Sequence, residues 1–418
     1  MLTADAPSLK CALETPMLQI PDAFDLLAQH VAPLPAEETA LTDLLGRRLA
    51  RDVVSGVDSP PFDKSMVDGY AIALGDAADE LAVLEQVIAG GVPTQPLSAG
   101  GTIRVMTGAP VPAGAEAVVK WEDCRELAED RIANPAAGIA AGHCILKQGT
   151  AFHRGETVLP AGKVLTPLDI ALLAEIGQQR VAAVPRPTVG VLPTGNELVA
   201  VDQPLAPGQI RNSNGPMLLA SLAGAGVRAV DLGVARDEPA ALRSAVERGL
   251  TECDVLLISG GVSAGVMDLV PGVLATLGVR EVFHKLKMKP GKPLWFGVRD
   301  TDQRRQYVFG LPGNPVSTLV SFRLFVVPTL AALAGAPFAP PATKRCALSA
   351  DYNHRGGRVT YHPCRTVDVA SPLPQIEPLA WRGSADIKTL TQADCLGVFA
   401  AGDYQLAAGT EVDALPLN

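Results

Sequence analysis

The sequence predicts an α/β multidomain protein: a central doubly wound α/β domain, a mainly β N-terminal region and a small C-terminal β-domain. Three observations predict it. Between Thr188 and Ala334, apolar strand-like runs alternate with helical ones, the pattern of a parallel sheet covered on both faces. From Val53 to about Val164 the chain is rich in Gly, Pro, Val and short apolar runs separated by Ala-Gly-Gly and Pro-Ala-Gly turns, which are β signals. After Gly335 the linker APFAPPATK leads into short segments punctuated by Gly and Pro. The expected boundaries are 1–185, 186–335 and 342–418.

The elements follow in order. Ile20 to Val31 (IPDAFDLLAQHV) opens with Pro21 and Asp22 and reads as an amphipathic helix. Leu41 to Asp52 reads as a short helix or turn leading into extended segments. Thr166 to Gly177 carries every local signal of a capped helix, with Thr166 as N-cap, Pro167 first, Asp169 in the first turn and Gly177 at the end. Pro185 to Pro187 is a linker. Strands are expected at Thr188–Leu192, Val227–Leu232, Asp254–Ile258 and around Tyr307–Gly310. Helices are expected at Pro216–Leu222, Glu238–Leu250, Leu269–Leu277 and Pro315–Ala334. In such sheets ligands bind outside the carboxyl ends of the strands. The loops there read PTGNEL, SGGVSAGVMD and GLPGNPVS, all small, Gly-rich and polar.

Composition narrows the function. The 418 residues carry a formal net charge of −9, with 48% hydrophobic, 19% charged and 4% aromatic residues, which describes an ordered globular chain. Few aromatics and an acidic balance argue against nucleic acid and anionic membranes as partners. The seven cysteines are scattered without a C-x-x-C pair, as expected of a reducing cytosol and not of a zinc cluster or disulfide framework. The N-terminus lacks a basic region followed by an apolar run. Phe325 to Ala334 is apolar but short and contains Pro328, so it reads as a buried helix. The expected location is cytoplasmic.

Against that acidic background, KLKMKPGKP places Lys285, Lys287, Lys289 and Lys292 within eight residues. Pro290 and Pro293 stiffen the loop and Gly291 permits close approach. Phosphate or another tetrahedral oxyanion would suit it; the bland alternative is a solvated charged face. In a regular strand Lys285, Lys287 and Lys289 would share one side, with Leu286 and Met288 on the other. Gly260 and Gly261 are either turn residues or, with Ser259 and Ser263, openings that expose backbone amides to an anion. Asp268 either caps the following helix or holds Mg²⁺. Glu197 shares this ambiguity, and spacing alone does not say whether Asp63 and Asp68 form a turn or an active site.

PPFDKSMVDGYA, RVMTGAPVPAGAEAVV, PTGNEL, SGGVSAGVMD, KMKPGKP and GLPGNPVS, in this order and approximate separation, resemble the motifs of the MoeA family. These are molybdopterin molybdenumtransferases related to the gephyrin E domain. The resemblance implies molybdenum insertion: adenylylated molybdopterin and molybdate give molybdenum cofactor, AMP and water, with Mg²⁺ as cofactor. It implies a homodimer in which the N-terminal region of one subunit completes the site of the other, and contact with other molybdenum cofactor enzymes.

By the same resemblance Lys285, Lys289 and Lys292 form the anion site. Gly260, Gly261, Ser263, Pro312, Pro315 and Ser317 cradle phosphate or pterin, and Asp268 is the metal ligand. Asp63, Asp68, Thr107, Glu197 and Asp237 are catalytic positions, and Arg365 and Ser384 serve molybdate entry. The chain departs from the family pattern in several places. Thr157 stands where an Asp is common. Arg211, Asn212 and Gly215 replace an aromatic, an Asp and an Arg, and Pro363 occupies the place of an arginine near the Gly357-Arg358 turn, leaving Arg365 as substitute. A molybdopterin adenylyltransferase, a gephyrin-like scaffold and a tungstate-selective enzyme are the alternatives.

Overall fold

Pro21 near the first turn and Asp22 within it start the Ile20–His30 helix where the sequence places it. In the computed structural model, which describes residues 17–262, 269–368 and 373–417, this helix buries Ile20, Ala23 and Leu27 in the same core as Val189, Phe309 and Phe325. The rings of Phe24 and Phe325 lie 5.2 Å apart. The expected 1–185 region is therefore divided. The chain forms two units, Glu37–Ala183 and Met1–Ala36 with Val184–Asn418, and the opening helix belongs to the second.

The Glu37–Ala183 unit is mainly β. Its largest sheet runs Ala117–Lys120, Gly69–Ile72, Gly101–Val105, Glu80–Val87, Arg131–Ala133 and Glu126–Ala128. Ala71, Ile103, Val105 and Val118 pack on one side of it, and Tyr70, Ile72, Leu81 and Val119 pack in a second cluster. The Pro167–Glu175 helix has the predicted cap: Asp169 N donates to Thr166 Oγ1 while the Asp169 carboxylate accepts from Thr166 N at 2.9 Å.

In the other unit, six strands form the central sheet in the order Arg228–Asp231, Thr188–Pro193, Val255–Ser259, Arg305–Leu311, Trp295–Asp300, Arg280–His284. The first four are parallel. Trp295–Asp300 pairs antiparallel with both of its neighbours, Arg305–Leu311 and Arg280–His284, so the sheet is mixed rather than wholly parallel. The Pro293 turn sends Trp295–Asp300 directly back beside its neighbours, and no helical crossover intervenes. Helices cover both faces, with Leu218, Leu222 and Val320 in one core and Leu242, Val246 and Leu274 in the other.

The long helix spans Pro315–Leu333. Its apolar window would reach across a membrane by length and composition, but 78% of that window is buried inside the protein. Pro328 does not break it, because a π-turn at Phe322–Val326 precedes a fresh helical start at Val327.

The C-terminal residues form a small closed sheet. Val359–Asp368, Gln375–Pro378, Lys344–Leu348, Glu411–Pro416 and Cys395–Phe399 pair in turn, and the last returns to the first. A sixth strand is added from the central domain: Met288–Lys289 pairs in parallel with Val359–Thr360. The lysine segment is thus no regular strand. Lys285 has φ +67°, a left-handed conformation that ends the preceding extended run. Leu286 and Met288 are buried, Lys287 is half-buried, and Lys289 and Lys292 are exposed.

Candidate active site

The parallel strands point their carboxyl ends into one cleft of about 960 Å³. Thr188–Pro193 delivers Thr194, Gly195 and Glu197, Val255–Ser259 delivers Gly260 and Gly261, and Arg305–Leu311 delivers Pro312, Asn314, Pro315 and Ser317. Asp237 lines it too, and its backbone N–H donates to Asn196 Oδ1 at 3.1 Å. The opposite wall is the Lys289–Pro293 loop with Arg358, Trp381, Gly383 and Ser384.

Close packing dictates the paired glycines. Gly260 has φ +99°, and a Cβ there would lie 2.5 Å from the Thr194 carbonyl oxygen; a Cβ on Gly261 would lie 2.8 Å from Val270 Cγ2. Glycine is thus required by the turn itself, whether or not a ligand approaches. The floor is polar. Asn214 Nδ2 donates to Ser259 Oγ and to the Gly313 carbonyl, both at 2.7 Å, while Asn214 Oδ1 and Thr194 Oγ1 are buried without a partner among the described residues. A buried unpaired polar atom costs about 1–3 kcal/mol.

The GLPGNPVS loop opens the long helix, with Asn314 as N-cap and Pro315 in its first turn. Its N-terminal end faces the cleft with the positive end of the helix dipole. Ser384 is fixed there: Asn314 Nδ2 donates to Ser384 Oγ at 2.9 Å, and Val316 N donates to the Ser384 carbonyl. Its hydroxyl hydrogen is left to donate to a ligand. Behind the lysine wall, His362 accepts from Tyr352 at Nδ1 and donates from Nε2 to the Leu379 carbonyl. Burial lowers its pKa, and the nearby Lys289 charge acts in the same direction. Its ring meets Trp381 edge-on at 5.5 Å, and the Trp381 indole N–H is buried with no acceptor among the described residues.

Glu197, Asp237, Gly260, Gly261, Lys289, Lys292, Pro312, Pro315, Ser317 and Ser384 are therefore brought together. Lys285 and Arg365 are not among the lining residues. Lys285 is half-buried, with its backbone N–H bonded to the Leu294 carbonyl. Arg365 donates to Glu377 Oε2 at 2.6 Å, directly across the strand pair, and Pro363 is buried on the same strand. Ser263 and Asp268 lie outside the described residues. Arg211 turns to the Val201 and Gln203 carbonyls, and Asn212 Oδ1 accepts from Gly215 N at 3.0 Å, which begins the following helix.

Asp63, Asp68 and Thr107 belong to the Glu37–Ala183 unit. Asp68 accepts from both Thr107 N (2.6 Å) and Thr107 Oγ1 (2.8 Å), and these bonds hold its carboxyl below the usual carboxylate range. Lys147 Nζ and Gln148 N do the same for Asp63, each at 2.8 Å. Sequence reasoning overlooked Thr194, Asn214, Arg358 and Trp381 as cleft residues. Only Arg358, in its Gly-Arg turn, carried a visible signal.

This arrangement has relatives. Residues 18–177 match the MoeA N-terminal region (domain I and II), 190–332 a probable molybdopterin binding domain, and 345–417 the MoeA C-terminal region (domain IV). A molybdopterin molybdenumtransferase from a Nostoc species is 31% identical over 417 residues, covering 96% of this chain and 94% of the relative. The chain belongs to the MoeA family. A Staphylococcus aureus molybdopterin molybdenumtransferase is 30% identical, covering 95% of both. The crystal structure of the molybdopterin biosynthesis MoeA protein of Pyrococcus horikoshii superposes with a TM-score of 0.79 at 29% identity, over 96% of this chain and all of that one. Membership makes the chain a transferase of molybdenum cofactor biosynthesis.

Proposed function

We propose that this MoeA-family chain inserts molybdenum, converting adenylylated molybdopterin and molybdate to molybdenum cofactor, AMP and water. The observation that carries this reading is the convergence of three strand-end loops and the Lys289–Lys292 loop on a single cleft. Its volume is that of a site for a large ligand, not for a lone oxyanion. Lys289, Lys292 and the helix end at Pro315 offer positive charge to molybdate and the diphosphate. Ser317 and Ser384 offer hydroxyls. Asn214 Oδ1 and Thr194 Oγ1 suit the hydrogen-bonding edge of a pterin.

Mg²⁺ fits this donor set without being demanded by it. Among the described residues no group of three metal-binding side chains occurs, but Mg²⁺ commonly takes one or two carboxylates with substrate phosphates and water. Glu197 and Asp237 line the cleft, and Asp268 is the third proposed ligand. Bound there, the ion would neutralise diphosphate charge during cleavage.

The active form is proposed as a homodimer in the cytoplasm, with Asp63, Asp68 and Thr107 of one copy serving the other's cleft and with other molybdenum cofactor enzymes as recipients. Phe62 and Met66, 40% and 56% exposed beside these carboxylates, support a surface that a second copy covers. The test is AMP release by purified protein from adenylylated molybdopterin, with and without molybdate. Release that does not depend on molybdate overturns the reading. Mixing Asp63→Asn and Asp237→Asn variants should restore activity in heterodimers; no restoration after confirmed subunit exchange overturns the shared site.

A further inference from the structure

We infer that Arg358 is the third cation of the molybdate site, an assignment that rests on reading the cleft as that site. Pro363 removes the arginine expected near this turn, and Arg365 is paired with Glu377. Arg358 instead lines the cleft, half-buried. Its placement is built in. Met288–Lys289 pairs in parallel register with Val359–Thr360, so Arg358, one residue before Val359, lies in register with Lys287, one residue before Met288. Arg358 Nη1 closes that junction by donating to the Met288 carbonyl at 3.2 Å.

A guanidinium has five N–H donors in a fixed plane, and this bond uses one of them. Among the described residues, none of Lys289, Lys292 and Arg358 has a carboxylate partner. The same wall contributes the Lys289 and Lys292 ammonium groups. It is rich in donors and poor in acceptors, the complement of a tetrahedral oxyanion. Arg358 adds what lysines lack, a planar fork that grips two oxygens at once.

The test is calorimetric titration of molybdate into the full-length protein saturated with adenylylated molybdopterin. Arg358→Ala should weaken molybdate binding about tenfold or more, the usual effect of losing a charge-assisted contact. Arg358→Gln keeps a donor for the Met288 carbonyl but no charge, and should lose as much. Arg358→Lys should retain part of the affinity, and Arg365→Ala all of it. Wild-type affinity in Arg358→Gln would overturn the proposal, since Arg358 would then only hold the loop. Equal losses in Arg365→Ala and Arg358→Ala would overturn it in favour of a diffuse field. If Lys289→Ala weakens binding and Arg358→Ala does not, Arg358 alone is misassigned. If wild type binds no molybdate at all, the reading of the cleft fails together with the inference.

Discussion

Lys287 and Lys289 are two residues apart, and simple strand alternation would aim both at the same anion. The structure separates them. Lys285 leaves the extended conformation at φ +67°, Lys287 is absent from the cleft lining, and Lys289 and Lys292 are part of it. Replacing Lys289 or Lys292 with Ala removes one charge-assisted contact to a dianion, worth about 1.5–3 kcal/mol. Both lysines are exposed, so solvent screening favours the lower end, or roughly a tenfold loss. Lys287 acts only through the general field, which salt at physiological strength screens over about 8 Å; its removal should cost about twofold or less. Molybdate titration at saturating adenylylated molybdopterin and near-physiological salt measures all three. An equal loss at Lys287 and Lys289 would refute a shaped site and leave only diffuse positive charge. No loss at any of them would reduce the loop to a solvated face.

Other outcomes follow from single contacts. Gly260→Ala places a Cβ 2.5 Å from the Thr194 carbonyl at φ +99°, so it should destabilise the unit by about 1–3 kcal/mol in urea unfolding and abolish activity; wild-type stability would show that the turn relaxes freely. Asp169→Asn should cost about 1 kcal/mol at neutral pH through the lost cap and the Lys163 ion pair. Burial raises the Asp169 carboxyl, but the Thr166 bonds and Lys163 outweigh it and leave it lowered. Its stabilisation is therefore present above the unfolded carboxylate pKa and disappears as pH falls through the lower folded value. The gap between wild type and Asp169→Asn should accordingly close below about pH 4, and a gap that persists at lower pH would contradict this. Ser384→Ala removes the acceptor for Asn314 Nδ2 and should reduce molybdate affinity more than stability; a purely thermal effect would make Ser384 a structural residue.

What the sequence made legible was local chemistry. Thr166, Pro167, Asp169 and Gly177 specify a helix within twelve residues, and the helix is there with its capping box. The strand-end loops were legible because Gly-rich polar turns after apolar runs need no distant partner to be recognised. The failures are non-local. Trp295–Asp300 runs antiparallel to both of its neighbours, and nothing in its own residues declares direction. The packing of the opening helix was not legible, because its core partners, such as Phe325, lie some three hundred positions away in the chain. Arg358 and Arg365 lie seven positions apart in one segment, and Glu377 opposite Arg365 decides which of them is left for the cleft.

The two-residue strand at Met288–Lys289 ties regions that look separable in the sequence, where residues 190–332 and 345–417 match distinct family descriptions. A chain cut before Lys344 would lose the ladder that orients Lys289 and would strip Tyr361, Leu390, Leu396 and Leu415 from the core they share with Phe309 and Phe325. The cationic wall is thus owned by neither region. Exchanging the C-terminal piece between relatives would transplant a barrel but sever a seam, and a functional chimera must carry both edges of it together.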